Sequence, residues 1–218
     1  MTGHSHSHSM EQPAQTEGRM IRWATYYDLM VNITSVGHAS MLRRMTVDNA
    51  SIQPGESVLD VGCGTGEVAL LAKTRAKAGK VYGIDPAPEM IAVARSKAAR
   101  KKLDVDFRVG MIEALPFPEA SMDVVTSSLM MHHLPEDLKR RGLAEVYRVL
   151  KPGGRLLIAD FMQPSQSILG HLMMVFTRHQ GLQNGLEEVG KLLQEAGFSR
   201  VSQLKGNVLV IGFMRAVK

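Results

Sequence analysis

The sequence predicts an α/β protein in which a mostly parallel sheet carries helices on both faces and ends in an antiparallel hairpin. Apolar runs of strand length alternate with segments of helix length, which is typical of parallel strands joined by right-handed crossovers. The first run leads directly into a glycine-rich turn. The last two runs lie too close together for a crossover, so they must pair as neighbours in opposite directions.

The individual elements follow from where each apolar run begins and stops. The first strand covers 57–61 and ends in the turn Gly62-Cys63-Gly64-Thr65-Gly66, whose glycines permit positive φ angles and a close ligand. Further strands are predicted over 80–84, 106–109, 122–127 and 155–160, with helices over 67–78, 89–102, 136–150 and 186–196. The runs 200–205 and 207–215 are separated by little more than Gly206, which predicts a tight hairpin.

Residues 18–218 are predicted to form a single domain preceded by a tail over 1–17. The tail alternates His and Ser without any hydrophobic period; such histidines can bind a metal, but a purification appendage explains them as well. Residues 18–50 predict a helical cap, which either covers a ligand cleft or closes one end of the sheet. A helical insertion over 165–197 begins with a Met-rich segment, 165–180, that can line an apolar pocket, rest on a membrane or pack in the core.

Composition bounds the compartment and the partners. The net charge of +5 gives anionic partners a weak advantage, but no nucleic-acid-binding module is evident, and we do not expect nucleic acid as the substrate. The single cysteine, Cys63, excludes an internal disulfide and suits a reducing compartment. No spanning helix or signal peptide is predicted, so we expect a cytoplasmic protein that has, at most, peripheral contact with a membrane.

Chemistry-bearing side chains collect at the carboxyl ends of the predicted strands, where open α/β sheets bind ligands. These ends carry Asp60 with the glycine turn, Asp85, the loop 110–113, the loop 128–133 and Asp160. The turn also satisfies the dinucleotide pattern G-x-G-x-x-A, and a nicotinamide cofactor is the alternative interpretation. Two features argue against a nicotinamide cofactor. The carboxylate of Asp60, before the glycines, repels a diphosphate but attracts a cationic cofactor. The C-terminal antiparallel hairpin is not part of the dinucleotide-binding fold.

Several motifs in order make the chain resemble the class I S-adenosylmethionine-dependent methyltransferases from about Ala24 to Arg215. These motifs are Val58–Gly66, Gly83–Pro86, Glu113–Phe117, Met122–Val125 and Val149–Arg155. The segment Tyr26–Met30, taken with Glu113–Phe117, further resembles the branch of quinone-ring C-methyltransferases and their small-molecule and phospholipid-methylating relatives.

The resemblance implies a Rossmann-like, seven-stranded sheet and S-adenosyl-L-methionine as cofactor. The glycines would lie against its methionine part, Asp60 near its amino group, Asp85 on its ribose, and the backbone N–H of Ile112 on its adenine. The predicted cofactor-binding residues are Asp60, Gly62, Gly64, Gly66, Asp85, Pro86, Ile112, Glu113 and Ser128. One position departs from the family: Met111 replaces the usual Asp that accepts from the adenine amino group, and Met cannot accept in this way.

The acceptor side is marked by fewer residues. His132 and His133 follow the fourth strand, and one of them is a candidate base or hydrogen-bond partner, unless they only cap the next helix or pack beneath the cofactor. Tyr27 is a candidate to contact the substrate or to cover the cofactor, or else a packing residue, and Cys63 is interpreted as small and buried. No metal site is predicted within the domain.

We therefore expect methyl transfer from S-adenosylmethionine to a small or lipid-like acceptor, apolar or aromatic in character. Methylation at carbon, oxygen or nitrogen stays open, and a phospholipid headgroup is among the candidate acceptors. The alternatives from other classes are a nicotinamide-dependent oxidoreductase and a catalytically silent cofactor-binding subunit. The oligomeric state is not predicted.

Overall fold

The structure is a computed structural model that describes residues 38–77, 79–162 and 185–218. The tail, Tyr27 and the segment 165–180 lie outside the described residues. The elements are α1 (Ala39–Ala50), β1 (Val58–Val61), α2 (Glu67–Ala76), β2 (Val81–Asp85), α3 (Pro88–Lys101), β3 (Asp106–Val109), β4 (Met122–Ser128), a 3-10 turn (Met131–His133), α4 (Glu136–Val149), β5 (Leu150–Phe161), α5 (Gly185–Glu195), β6 (Ser199–Gln203) and β7 (Ile211–Val217).

One sheet of seven strands, in the order β3-β2-β1-β4-β5-β7-β6, confirms the predicted fold class. Strands β1 to β5 pair in parallel, whereas β7 is antiparallel to both β5 and β6. The chain order reverses between β1 and β4, and at such a switch point an open α/β sheet has its ligand crevice outside the carboxyl ends of the strands.

Two cores cover the two faces of the sheet. Helices α1, α2 and α3 pack on one face, where Val58 contributes to the core, and α4 and α5 pack on the other, where Leu59 and Val61 contribute. Burial on both faces explains why the central strands are continuous apolar runs. Side chains alternate between the two faces along a strand, so Asp60, between Leu59 and Val61, lies on the same face as Val58.

Two predicted boundaries are wrong in an informative way. Strand β5 begins at Leu150, not at Arg155: Leu150 pairs with Met122 and Arg155 with Val124, so the predicted stop signal 151–154 bulges out within a longer strand. The hairpin is antiparallel as predicted, but its connection spans 204–210 because a local bridge between Val208 and Ile211 closes the turn.

No helix in the described ranges is long and apolar enough to cross a membrane.

Candidate active site

The glycine turn between β1 and α2 forms the wall of the crevice. Gly62, Gly64 and Gly66 have φ angles of +66°, +51° and +82°, a region that other residues enter at a cost. A Cβ on Gly66 would lie 2.5 Å from the Phe107 ring, so this glycine also lets α2 approach the sheet. A Cβ on Gly62 would collide with Met130, whose side chain lies across the turn.

Asp60 is a carboxyl group buried at the end of β1. Its side chain, 2% exposed, projects toward the α1–α3 face and accepts a 2.7 Å hydrogen bond from the Thr126 hydroxyl. Burial raises the pKa of Asp60 to about 7, although hydrogen bonds from Thr126 and from the Ala69 N–H oppose the shift and the charge of Asp85 adds to it. A buried carboxyl of this kind gains a partner when a cationic group enters the crevice.

Asp85 ties the end of β2 to the glycine turn. Its two carboxylate oxygens accept from the backbone N–H groups of Gly64 and Ala87, each at 2.9 Å. Burial raises the pKa of Asp85, against the effect of these two hydrogen bonds. Each carboxylate oxygen can accept more than one hydrogen bond, so the side chain retains the capacity to bind a pair of hydroxyl groups.

A cleft of about 500 Å³, counting space open to solvent, follows this edge of the sheet. Its lining residues are Ala39, Leu42, Arg43, Asp60, Gly62, Cys63, Gly64, Thr65, Glu67, Val68, Ser128 and Leu129. Helix α1 thus forms part of the cleft wall. Four predicted cofactor residues, Asp60, Gly62, Gly64 and Ser128, line it.

The other predicted cofactor residues lie along the same edge but outside this lining. Gly66 is buried beneath the turn, and Pro86 follows Asp85. The N–H of Gly110 donates to the Asp85 carbonyl at 3.1 Å, which joins the loop after β3 to the end of β2. Ile112 is buried against α4, where Gly142 leaves room for its side chain, and Glu113 is partly buried.

Cys63 is not arranged as a nucleophile. Its side chain is buried, with the sulfur 3.7 Å from the Gly64 carbonyl. Burial raises the pKa of the Cys63 thiol further above its ordinary value, and the charges of Asp60 and Asp85 add to the effect. A thiol with a raised pKa has little thiolate at neutral pH, in agreement with its interpretation as a packing residue.

His132 forms a pair with Asp160 on the other side of the carboxyl edge. Its Nδ1 lies 2.7 Å from Asp160 Oδ1, and its backbone N–H donates to the second carboxylate oxygen at 3.2 Å. The N–H of Phe161 also donates to Asp160, and its ring packs edge-on against the imidazole at 4.8 Å. His132 therefore does not cap α4, whose N-cap residue is Pro135. The ring of His133 lies tilted beside that of His132, with the ring centres 3.9 Å apart.

A second, smaller cavity borders this pair. It is lined by Met131, His132, Lys139, Asp160, Phe161, Gly185 and Val189. Lys139 is largely buried there, 7% exposed, and its ammonium lies 3.4 Å from Glu188 of α5. The loop 129–131 separates this cavity from the cleft, since Leu129 lines the cleft and Met131 lines the cavity. The edge thus has an acid-lined cleft on one side and a histidine-bearing cavity on the other.

Three features of the site were missed in the sequence. Thr126 lies directly opposite Asp60 in the register of β1 and β4, and a threonine within an apolar strand was the available signal. Arg43 lines the cleft from α1; the cap predicted over 18–50 included this helix, but no motif marked the residue. Asp160 was placed at the edge, but its pairing with His132 depends on the path of the loop 129–133.

Comparison with known proteins identifies the class. A family model described as a methyltransferase domain matches residues 58–154. A demethylmenaquinone methyltransferase of Thermus thermophilus is 38% identical over 153 residues, 70% of this chain and 69% of that protein. The ubiquinone/menaquinone biosynthesis C-methyltransferase UbiE of Hydrogenovibrio crunogenus is 29% identical, with 94% of this chain and 84% of that protein covered.

A solved structure agrees on the fold. The SAM-dependent methyltransferase from Aquifex aeolicus superimposes with a TM-score of 0.67 at 24% sequence identity, covering 85% of this chain and 96% of that one. The chain belongs to the class I S-adenosylmethionine-dependent methyltransferases. Among them, its homologues include the quinone C-methyltransferases of menaquinone and ubiquinone synthesis.

The residues at the edge fit S-adenosylmethionine. The buried carboxyl of Asp60 suits a ligand with a cationic amino group, and Asp85 retains acceptor capacity for ribose hydroxyls. Gly62 and Gly64, both at positive φ, line the cleft with backbone alone, which lets a ligand approach it closely. When bound, S-adenosylmethionine supplies a methyl group activated by its sulfonium. The match to methyltransferases excludes the nicotinamide-dependent oxidoreductase as the alternative function.

Proposed function

We propose that this methyltransferase methylates a ring carbon of a small aromatic acceptor that carries a hydroxyl group, as the reduced form of a quinone does. The observation that carries the hydroxyl-bearing acceptor is the hydrogen-bonded pair of His132 and Asp160 at the carboxyl edge, and the choice of a ring carbon follows the homologues. The names of the homologues, a demethylmenaquinone methyltransferase and a ubiquinone/menaquinone C-methyltransferase, support the acceptor class.

A ring carbon becomes a good nucleophile when a neighbouring hydroxyl group loses its proton. A phenolic hydroxyl has a pKa near 10, so it arrives protonated at neutral pH and a general base is needed. After transfer, the ring loses one hydrogen to regain aromaticity, and the net reaction releases one proton. Methyl transfer to a neutral amine or a thiolate would not need such a base.

The chain supplies that base as an oriented imidazole. An ionised carboxylate only accepts hydrogen bonds, so Asp160 fixes the proton of His132 on Nδ1 and leaves Nε2 as the proton acceptor. Two backbone N–H groups hold the carboxylate itself in place. Lys139 lines the same cavity, where its ammonium forms an ion pair with Glu188 at 3.4 Å.

The alternative is methylation at oxygen or nitrogen, with a phospholipid headgroup as one acceptor. The first step of proton removal would be the same for a phenol that is methylated at oxygen. An ethanolamine headgroup carries no phenol, so the base would have no hydroxyl proton to remove from it.

An assay with labelled S-adenosylmethionine tests the acceptor class. The acceptors are a 1,4-naphthohydroquinone with an unsubstituted ring carbon, its oxidised quinone, catechol and phosphatidylethanolamine in vesicles. We expect transfer to the hydroquinone under anaerobic reducing conditions and none to the oxidised quinone, which lacks the hydroxyl proton. Transfer to phosphatidylethanolamine but not to the hydroquinone would overturn the proposal.

A further inference from the structure

We propose that Arg43 of α1 binds the carboxylate of the methionine part of the cofactor. The inference rests on S-adenosylmethionine as the cofactor and is independent of the acceptor. It assigns α1 a direct role in ligand binding, in addition to its packing against the sheet.

The placement of Arg43 is fixed by its helix. Ala39 and Leu42, which are 1% and 2% exposed, anchor α1. Leu42 belongs to the cluster formed with β5 and β7, and the α1 residue Val47 belongs to the core shared with α2. Arg43 lies on the same face of the helix and lines the cleft together with Asp60 and the glycine turn. A packed helix thus holds Arg43 at the wall of the cleft.

The charges around the cleft favour Arg43 as the partner of a ligand carboxylate. Asp60 and Glu67 are the acidic residues in the lining, and Arg43 is the sole Lys or Arg in the lining that the structure describes. Glu67 is already held by Lys97 at 2.8 Å and by Lys101 at 3.5 Å. Burial would raise the pKa of Glu67, but these hydrogen bonds and charges, with that of Arg43, lower it.

The ligand has complementary charges. The methionine part of the cofactor carries an ammonium group and a carboxylate on one carbon, so both must be accommodated in one small region. Asp60 suits the ammonium, and a guanidinium suits the carboxylate through paired N–H donors. With five N–H donors, Arg43 can hold a protein acceptor and the carboxylate at once.

Titration calorimetry with two ligands isolates the carboxylate. S-Adenosylhomocysteine has the amino acid part, whereas 5′-methylthioadenosine has the same nucleoside and thioether without it. We expect Arg43→Gln to weaken S-adenosylhomocysteine about tenfold or more and to leave methylthioadenosine unchanged, because a hydrogen bond to a charged group is lost. Arg44→Gln, on the exposed side of the same helix, is the matched control and should change neither.

Each contrary result has a definite meaning. Unchanged binding of S-adenosylhomocysteine by Arg43→Gln would overturn the proposal and assign the carboxylate to backbone N–H groups at the start of α2. An equal loss for both ligands would also overturn it, because α1 would then act only by shaping the cleft. Arg43→Lys keeps the charge but not the paired N–H donors, so it should lose an intermediate amount of affinity for S-adenosylhomocysteine alone. It replaces Arg43→Gln if that variant does not fold. No acceptor is used, so failure of the proposed acceptor class cannot produce these outcomes.

Discussion

The Nδ1 atom of His132 lies 2.7 Å from Oδ1 of Asp160, and this contact joins the loop after β4 to the end of β5. The two residues are 28 positions apart in the chain, and the parallel pairing of β4 with β5 brings them together. The side chain of Asp160 is only 4% exposed and that of His132 is 17% exposed, so the acid is shielded while the imidazole reaches the surface of a cavity. That arrangement is suited to moving a proton.

Asp160→Asn should lower kcat about a hundredfold while leaving the affinity for S-adenosylhomocysteine unchanged, because the imidazole loses its orienting charge but the cleft is intact. Asp137→Asn is the control, since Asp137 forms an exposed ion pair with Arg141 in α4. An unchanged kcat in Asp160→Asn would remove the pair from the mechanism.

Binding of the cofactor should release a proton from Asp60. The free protein holds that proton up to about pH 7, and a cationic ligand favours the ionised form. Calorimetric titration with S-adenosylhomocysteine at pH 6, in buffers of different ionisation enthalpy, should show release of close to one proton. Asp60→Asn should show none. Equal proton release by both proteins would assign the linkage to another group.

The raised pKa of Asp60 should also make the free energy of unfolding depend on pH. Because the pKa of Asp60 is about 7 in the folded protein and 3.8 ordinarily, only the folded state keeps the proton between those values. The contribution of Asp60 to the free energy of unfolding therefore decreases as pH rises from about 4 to 7. Urea unfolding of the wild type and Asp60→Asn at pH 5, 6 and 7 isolates this slope, because Asp85, whose pKa is also raised, is present in both proteins. Carboxyls of lowered pKa such as Glu56 and Asp123 are already ionised there. A difference between the two proteins that stays constant with pH would contradict the assignment.

Gly66→Ala should destabilise the protein more than Gly55→Ala. The two glycines have φ angles of +82° and +87°, so each variant carries a similar backbone strain of about 1 kcal/mol. A Cβ at Gly66 meets Phe107 at 2.5 Å and Ala94 at 2.9 Å, whereas nothing lies within 4 Å at Gly55. Overpacking adds about 1–3 kcal/mol at Gly66 alone, which chemical denaturation can measure. Equal losses would mean that α2 shifts to accommodate the methyl group.

Met111→Asp should strengthen cofactor binding about threefold to tenfold by supplying an acceptor for the adenine amino group. Met111 is partly exposed and pairs through its backbone with Ala114, so the side chain can change without disturbing the turn. The inosine analogue of S-adenosylhomocysteine, which lacks that amino group, serves as the control ligand and should not gain affinity. A similar gain for both ligands would point to a general charge effect.

The sequence predicted the framework well because each signal was local. Each strand is determined by its own apolar run. The turn from Gly62 to Gly66 and the short connection between the last two strands then determine how the strands are joined in the sheet. The errors in β5 and in the hairpin connection arose where pairing with a neighbour extended a strand or shortened one. Tertiary pairing decides such boundaries, and periodicity cannot show it.

The site was predicted less completely. Residues fixed by a motif, such as Asp60 and Asp85, were identified together with the edge they share. The contacts of Thr126 with Asp60 and of Asp160 with His132 depend on strand register and loop path, which are properties of the folded chain. The part played by Arg43 depends on how α1 docks on the sheet.

The most direct test of the proposed function is the position of the transferred methyl group. The hydroquinone product of a reaction with S-adenosylmethionine labelled with ¹³C in its methyl group can be analysed by NMR, which separates a methyl on a ring carbon from one on oxygen. We predict that the label appears on the ring carbon beside the hydroxyl group and that Asp160→Asn slows its appearance. A label found only on oxygen, or no transfer by a protein that binds S-adenosylhomocysteine, would contradict it.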